Sequence, residues 1–400
     1  MTARRSISDT TRSDGTALRF TFAVLIALLI AGVSSGLCQS GTANQVHGDR
    51  MEALLDSTAT ETYNYNFSGA LKLAEDMIRL YPDRPEGYIY KCGIYSKMLM
   101  EEAFQSPDSI WKIYKPLVEK GCELSKQRVK TNPEDIKDLF NYASALVYRS
   151  RYDAAKSDWI GLMSDAVKSK KMLEKALEVD PTFYDAYSGI GAFDYYAAHL
   201  PWYLKPVAFL LGIKGDEAGG IADLKKASRL GNHSKAEAAS FLAEIVYTDE
   251  KKFDEIAALA SDLHRKYPGN LDYTRTLCFA YYKLHEYGKV IECADQAVNH
   301  DTIGEPDRFL SMAYIRFYRG ESFAAMKSHY DAAIADYSKA IEIGEPSVLV
   351  TQAYYGRGTV YEKMGEWKMA RADYQTVLKL NGDDRACRLA KVALDSLKSR

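Results

Sequence analysis

The side chains that could do chemistry are few and scattered. The seven histidines are His47, His199, His233, His264, His285, His300 and His329, and none forms an HExxH or other close pair fit to grip a metal. The six cysteines, Cys38, Cys92, Cys122, Cys278, Cys293 and Cys387, include no CxxC, so zinc-ribbon and thioredoxin-type motifs are excluded. Thiol oxidation is the one chemistry left to them. Cys278 and Cys293 fall on the two helices of one predicted hairpin, as do Cys92 and Cys122, although buried small hydrophobes are the plainer reading. Gly189-Ile190-Gly191 has no strand before it and reads as a site of close helix packing, not a dinucleotide turn. Gly212-Ile213-Lys214-Gly215 lacks the order of a phosphate loop. No Gly-x-Ser-x-Gly surrounds a credible nucleophile, and the carboxylates have the scatter of solvated helix faces. These residues assign no catalytic group, no metal and no cofactor.

Binding is what remains, and composition suits it. Of 400 residues 47% are hydrophobic and 26% charged, as in a folded chain, while 29 tyrosines stand out. A net charge of −2 gives no basic footprint for nucleic acid. The short run Lys168-Ser169-Lys170-Lys171 falls on a helix and reads as a solvated edge.

The elements that hold these residues repeat. Tyr354-Tyr355-Gly356-Arg357-Gly358 is followed by Trp367, Ala370, Tyr374 and Val377, and Tyr318-Arg319-Gly320 by Tyr330, Ala333, Tyr337 and Ala340. Residues 271–304 offer Cys278, Tyr281, Tyr287, Val290, Ala294 and Ala297 in the same order; 237–270 offer Tyr247, Phe253, Ala260, Leu263 and Pro268. Small residues let two antiparallel helices approach, and aromatics fill the space beside them. His285 stands where a turn glycine is common and reads as a turn residue. The pattern resembles the tetratricopeptide repeat, whose period is about 34 residues. The resemblance implies an all-α, right-handed α-solenoid of about eight helical hairpins with a C-terminal capping helix. We read hairpins at about 51–84, 85–135, 136–183, 184–236, 237–270, 271–304, 305–350 and 351–384. The cap over 385–400 should bury Leu389, Val392, Leu394 and Leu397. Grouped more coarsely, 48–236 holds hairpins with long insertions and 237–384 the regular ones.

In the fourth hairpin Gly191 and Gly220 take the small-residue positions, yet about 17 residues too many separate them. The excess contains Tyr195-Tyr196-Ala197-Ala198-His199-Leu200-Pro201-Trp202-Tyr203 and Phe209-Leu210-Leu211-Gly212. This order of Leu-Pro, apolar helix and Gly-x-x-Gly-Asp resembles the inclusion-body-clearance family of repeat proteins and its bacterial relatives, which implies an adaptor for protein or lipid cargo. His199, Trp202, Tyr203 and Phe209 are its candidate contacts, and a carrier of an apolar ligand or outer-membrane component would need a cavity around Trp202 and Phe209.

In the tetratricopeptide family the first helix of each hairpin faces a groove. Carried over by position, the groove takes Tyr195 and Tyr196 from the fourth hairpin, with Asp185, Ser188 and Ala192. The sixth gives Arg275, Phe279, Tyr282 and Lys283; the eighth gives Tyr355 and Thr359 beside Gln352. Arg275 and Lys283 share one hairpin, which disfavours a carboxylate clamp and favours an aromatic groove for a helix or extended peptide. The expected partner is a protein or peptide. At the N-terminus Arg4, Arg5, Arg12 and Arg19 precede an apolar run from Phe20 to Val33 and then Ser34-Ser35-Gly36, the order of a secretory signal. Residues 1–40 are therefore a targeting segment, and the expected location is periplasmic or extracellular. An uncleaved membrane anchor and a lipid-modified Cys38 are the alternatives.

Overall fold

The computed structural model describes residues 45–101, 108–299, 309–327, 329–344 and 347–399, and every regular element among them is helical. The targeting segment, Cys38 and His300 lie outside the described residues. The chain divides into two compact units, up to Leu242 and from Ala243. The first contains α1 (Gln45–Tyr63), α2 (Phe67–Leu80), α3 (Glu86–Glu101), α4 (Asp108–Thr131), α5 (Ile136–Ala155), α6 (Trp159–Val179), α7 (Ala186–Ala198), α8 (Lys205–Leu210), α9 (Glu217–Leu230) and α10 (Lys235–Phe241). After a π-helical turn at Leu242–Val246, the second contains α11 (Phe253–Lys266), α12 (Leu271–Lys283), α13 (Tyr287–Asn299), α14 (Phe309–Met326), α15 (Tyr330–Ile343), α16 (Val348–Met364), α17 (Trp367–Leu380) and α18 (Asp384–Ser396). Within each unit successive helices pack on one another, except that α7 and α9 pack together directly across the short α8, and α12, α14, α16 and α18 also pack on one another in sequence. That is a stack of antiparallel helix pairs.

The turns between paired helices share a device. Tyr65, Ser157, Lys251, His285, Lys327 and Gly365 all have φ between 57° and 82°. Each is a single left-handed residue that reverses the chain, although only one is the glycine that suits that conformation. In five of the six an aromatic follows two residues later and opens the second helix: Phe67, Trp159, Phe253, Tyr287 and Trp367. Side-chain caps start several helices. Asn66 accepts from Gly69 N, Asp158 from Gly161 N and Asp216 from Gly219 N, satisfying amides that the first turn leaves without partners.

The close approach of paired helices follows from missing side-chain atoms. A Cβ on Gly358 would meet the Tyr374 ring at 2.9 Å, and one on Gly320 would meet the Tyr337 ring at 3.3 Å. Tyr337 also lies against Gly356 of the next pair, where a Cβ would come within 2.7 Å of its ring. In the first unit, Gly191 and Gly220 touch backbone to backbone despite the insertion between them: a Cβ on Gly191 would lie 2.6 Å from the Gly220 oxygen. A bidentate ion pair braces three of the pairs. Arg149 reaches Asp165 at 2.8 Å, Arg319 reaches Asp336 at 2.6 and 2.7 Å, and Arg357 reaches Asp373 at 2.8 Å through both nitrogens. Each aspartate is buried. The closing helix α18 departs from expectation: it buries Ala386, Cys387 and Ala390, while Leu389 and Val392 are exposed; Leu397, in the turn that follows, is buried as expected. The helix's narrow buried stripe selects alanines, which let it lie close on α17.

Glu52 on α1 is half-buried beside Asp56 and Glu86, and its Oε1 has no hydrogen-bond partner. Burial, offset partly by Lys137 and Arg84, raises its pKa from 4.5 to about 7.

Two outcomes are expected. Gly191→Ala should destabilise the first unit by about 1–3 kcal/mol through overpacking, whereas Gly288→Ala, with open space around its Cβ, should cost nothing; thermal unfolding of both variants measures this. Glu52 binds its proton more tightly when folded, so its contribution is fully present below its unfolded pKa and is lost as pH rises through about 7. Glu52→Gln should therefore match the parent near about pH 4 and exceed it above about pH 8 in melting temperature. A constant difference across that range would show that Glu52 does not titrate in this way.

Candidate partner-binding surface

In the second unit three successive first helices, α12, α14 and α16, present half-exposed aromatic residues. Heptad-like spacing on α12 puts Arg275, Phe279 and Tyr282 on one face, and Tyr314 and Tyr318 share a face of α14. The rings join into one layer: Phe279 to Tyr318 at 5.9 Å, Tyr282 to Tyr318 at 5.6 Å and Tyr314 to Tyr318 at 6.2 Å. Cations sit over it, with Arg275 5.9 Å from the Tyr314 ring centre and the exposed Lys283 5.5 Å from that of Phe279. The layer is pinned at both ends. Ser311 donates to Asp272 at one end. At the other the Tyr282 hydroxyl donates to Glu321 at 2.8 Å, and Glu321 also accepts from the Tyr337 hydroxyl at 2.6 Å. Burial first, and then the Glu321 charge, push the Tyr282 hydroxyl above the ordinary phenol range, so it stays a donor at any physiological pH.

The expected groove residues separate into three groups. Arg275, Phe279, Tyr282 and Lys283 lie together on α12. Tyr355 and Thr359 lie on α16 in a different set of contacts: the Tyr355 ring meets Tyr374 at 5.8 Å, and the Tyr374 hydroxyl reaches Thr359 at 3.5 Å and Glu362 at 2.8 Å. Tyr195 and Tyr196 are not groove residues at all. They are 5% and 3% exposed, because Phe241 of α10 packs edge-on against both rings at 5.6 and 5.1 Å. Asp185 is likewise structural: its Oδ1 accepts from the amides of Asn232, His233 and Ser234, holding the turn before α10. Tyr314 and Tyr318 are the residues that positional transfer missed.

The insertion is a separate surface of the first unit. Its inner side, Leu200, Leu204 and Ala208, packs on Ala154, Leu162 and Met163. Its neck is tight, with Gly215 pressed on the Ala198 backbone and Asp216 N donating to Asp194 O at 3.2 Å. His199 caps α7 through Nδ1 to Tyr195 O at 2.8 Å and lies 3.7 Å from Glu217. Trp202 and Phe209 are 80% and 82% exposed, and Tyr203 is exposed beside them. Side chains so open to solvent do not have the enclosed setting that a carrier would need around Trp202 and Phe209. Among the described residues no group of three or more His, Cys, Asp or Glu could hold a metal ion, and no helix is long and apolar enough to cross a membrane.

Residues 351–384, the α16–α17 pair, match the family model described as tetratricopeptide repeat. That pair is a tetratricopeptide repeat. The chain's similarity to solved structures is distant. With the crystal structure of yeast Tom70 it shares 13% identity and a TM-score of 0.34, over 86% of this chain and 88% of that one. With YrrB, described as a tetratricopeptide-repeat protein with an unusual peptide-binding site, it shares 16% identity and a TM-score of 0.33, over 68% and 98%. A tetratricopeptide repeat protein from Parabacteroides merdae ATCC 43184 gives 13%, 0.29, 76% and 98%. No curated protein sequence matches the chain.

Within this repeat protein Glu321 joins two tyrosine hydroxyls from two helices, and hydrogen bonds to a charged acceptor contribute about 1.5–3 kcal/mol each. Glu321→Ala should lower the stability of the second unit by about 2 kcal/mol, and Lys283→Ala by less than about 0.5 kcal/mol. Equal losses in denaturant titration would remove Glu321 as the hub of the layer.

Proposed function

We propose that this tetratricopeptide-repeat protein is a non-catalytic scaffold that holds a segment of another protein against the α12–α14 face of its second unit. The observation that carries the reading is the ring layer of Phe279, Tyr282, Tyr314 and Tyr318 with Arg275 and Lys283 above it. Half-exposed aromatic residues lose little conformational freedom on binding and dominate protein interfaces, as does arginine. The two cations favour a segment that brings carboxylates along with its apolar anchors. The repeat fold itself supports a binding role and says nothing of a reaction.

The site of action follows from the N-terminal segment. The Arg-led apolar run Phe20–Val33 with small residues behind it supports export to an extracytoplasmic compartment. Retention of that segment would tether the scaffold to a membrane; the mass and N-terminal sequence of the mature chain distinguish the two.

A photo-crosslinking amino acid placed at Lys283 should capture the partner, and an acidic, aromatic-anchored peptide from it should bind the purified protein. Lys283→Glu should weaken that binding about tenfold, a loss of about 1.4 kcal/mol, while Lys368→Glu on the second helix α17 should leave it unchanged. Calorimetric titration gives both numbers. Equal affinities for the parent and Lys283→Glu would move the binding surface elsewhere.

A further inference from the structure

Cys278 on α12 and Cys293 on α13 are both buried, at 0% and 6% exposure, and are free thiols. Their sulfur atoms are 2.9 Å apart, closer than two unbonded sulfurs ordinarily come. A disulfide bond is about 2.0 Å long, so a shift of about 0.9 Å separates contact from bond. The repeat register gives an independent measure of the site. Aligning 271–304 on 351–384 puts Cys278 at the place of Gly358 and Cys293 at the place of Asp373. A Cβ on Gly358 would lie 3.2 Å from the Cβ of Asp373, close to the roughly 3.5–4.5 Å between the Cβ atoms of a disulfide. The same alignment puts Leu277 at the place of Arg357. The α12–α13 pair therefore lacks the Arg–Asp brace of the α14–α15 and α16–α17 pairs, and carries two thiols at the point where that brace would close.

We propose that Cys278 and Cys293 form a reversible intramolecular disulfide that staples α12 to α13, accepting oxidation by exchange with a small-molecule or protein disulfide. Cys293, the more exposed, attacks the disulfide of the oxidant and forms a mixed disulfide, expelling one thiol. Cys278 then attacks the Cys293 sulfur and expels the second thiol. Two protein S–H bonds become one S–S bond, and the oxidant disulfide is reduced to two thiols. Burial holds the Cys278 thiol well above its ordinary range, so the second step accelerates with rising pH. Phe279 is the next residue along α12, so the staple fixes the helix that carries the ring layer.

The test uses the full chain, reduced and then equilibrated in mixtures of reduced and oxidised glutathione, quenched in acid, unfolded and alkylated. The expected product has lost two hydrogens and gives one cross-linked peptide pair joining Cys278 to Cys293. It forms faster at pH 9 than at pH 7, melts at a higher temperature than the reduced protein, and reverts with dithiothreitol. Cys293→Ser should abolish the pair, and the parent's peptide map remains decisive if that variant folds poorly. Full alkylation of both cysteines across the glutathione series, a lasting glutathione adduct on Cys293, or a Cys92–Cys122 link in its place would each overturn the proposal.

Discussion

An aromatic ring can lie flat between two helices only where the helices lack the atoms that would collide with it. Tyr337 illustrates the constraint: it rests on Gly320 of its own helix pair and on Gly356 of the next, so one ring sets both the spacing within a pair and the stacking between pairs. Tyr374 repeats half of the arrangement on Gly358. Where no ring is used, as at Gly191 and Gly220, backbone touches backbone. The turns, braces and exposed faces depend on this spacing. The Arg–Asp pairs close only because the helices are already near, and the hydroxyls of Tyr337 and Tyr374 reach Glu321 and Glu362 only because their rings cross the pair.

The polar groups follow the same economy. Buried Asp165, Asp336 and Asp373 are each met by a two-pronged guanidinium, which satisfies both oxygens at once and limits the desolvation cost of the ion pair. Asp185 takes three amides and a hydroxyl instead, and so fixes the entry to α10. These charges thus hold helix ends and helix pairs in register.

Much of this was legible in the sequence, because small residues and rings recur at the repeat spacing. Gly191 and Gly220 could be paired across the insertion for that reason, and so could Gly358 and Tyr374. Groove residues were less legible, since carrying a position across assumes that the face is open. Phe241 closes it over Tyr195 and Tyr196, and a contact between helices so far apart leaves no local trace. Tyr318 takes the place of Tyr355 when Ala333 and Tyr337 are aligned on Ala370 and Tyr374, so the repeat register carried a signal for it, whereas Tyr314 lies one turn before it, outside the transferred positions. The left-handed turns had a signal of their own: an aromatic two residues on, as at His285 and Tyr287, marks the reversal better than glycine does. The Arg–Asp braces emerge only from the structure, although their partners stand 16 or 17 residues apart in the sequence.

The closed neck of the 199–216 segment bears on how this chain can change. Gly215 seals against Ala198 and the two flanking helices meet at Gly191 and Gly220, so the ends of the segment are fixed, while Leu200, Leu204 and Ala208 tie its inner side to the preceding helix pair. Change is cheapest at the outward-facing residues of the segment, such as Trp202 and Phe209, and costly at the buried ones. The segment thus separates two evolutionary tasks by face, with inheritance of the architecture on its inner side and freedom to acquire new contacts on its outer one.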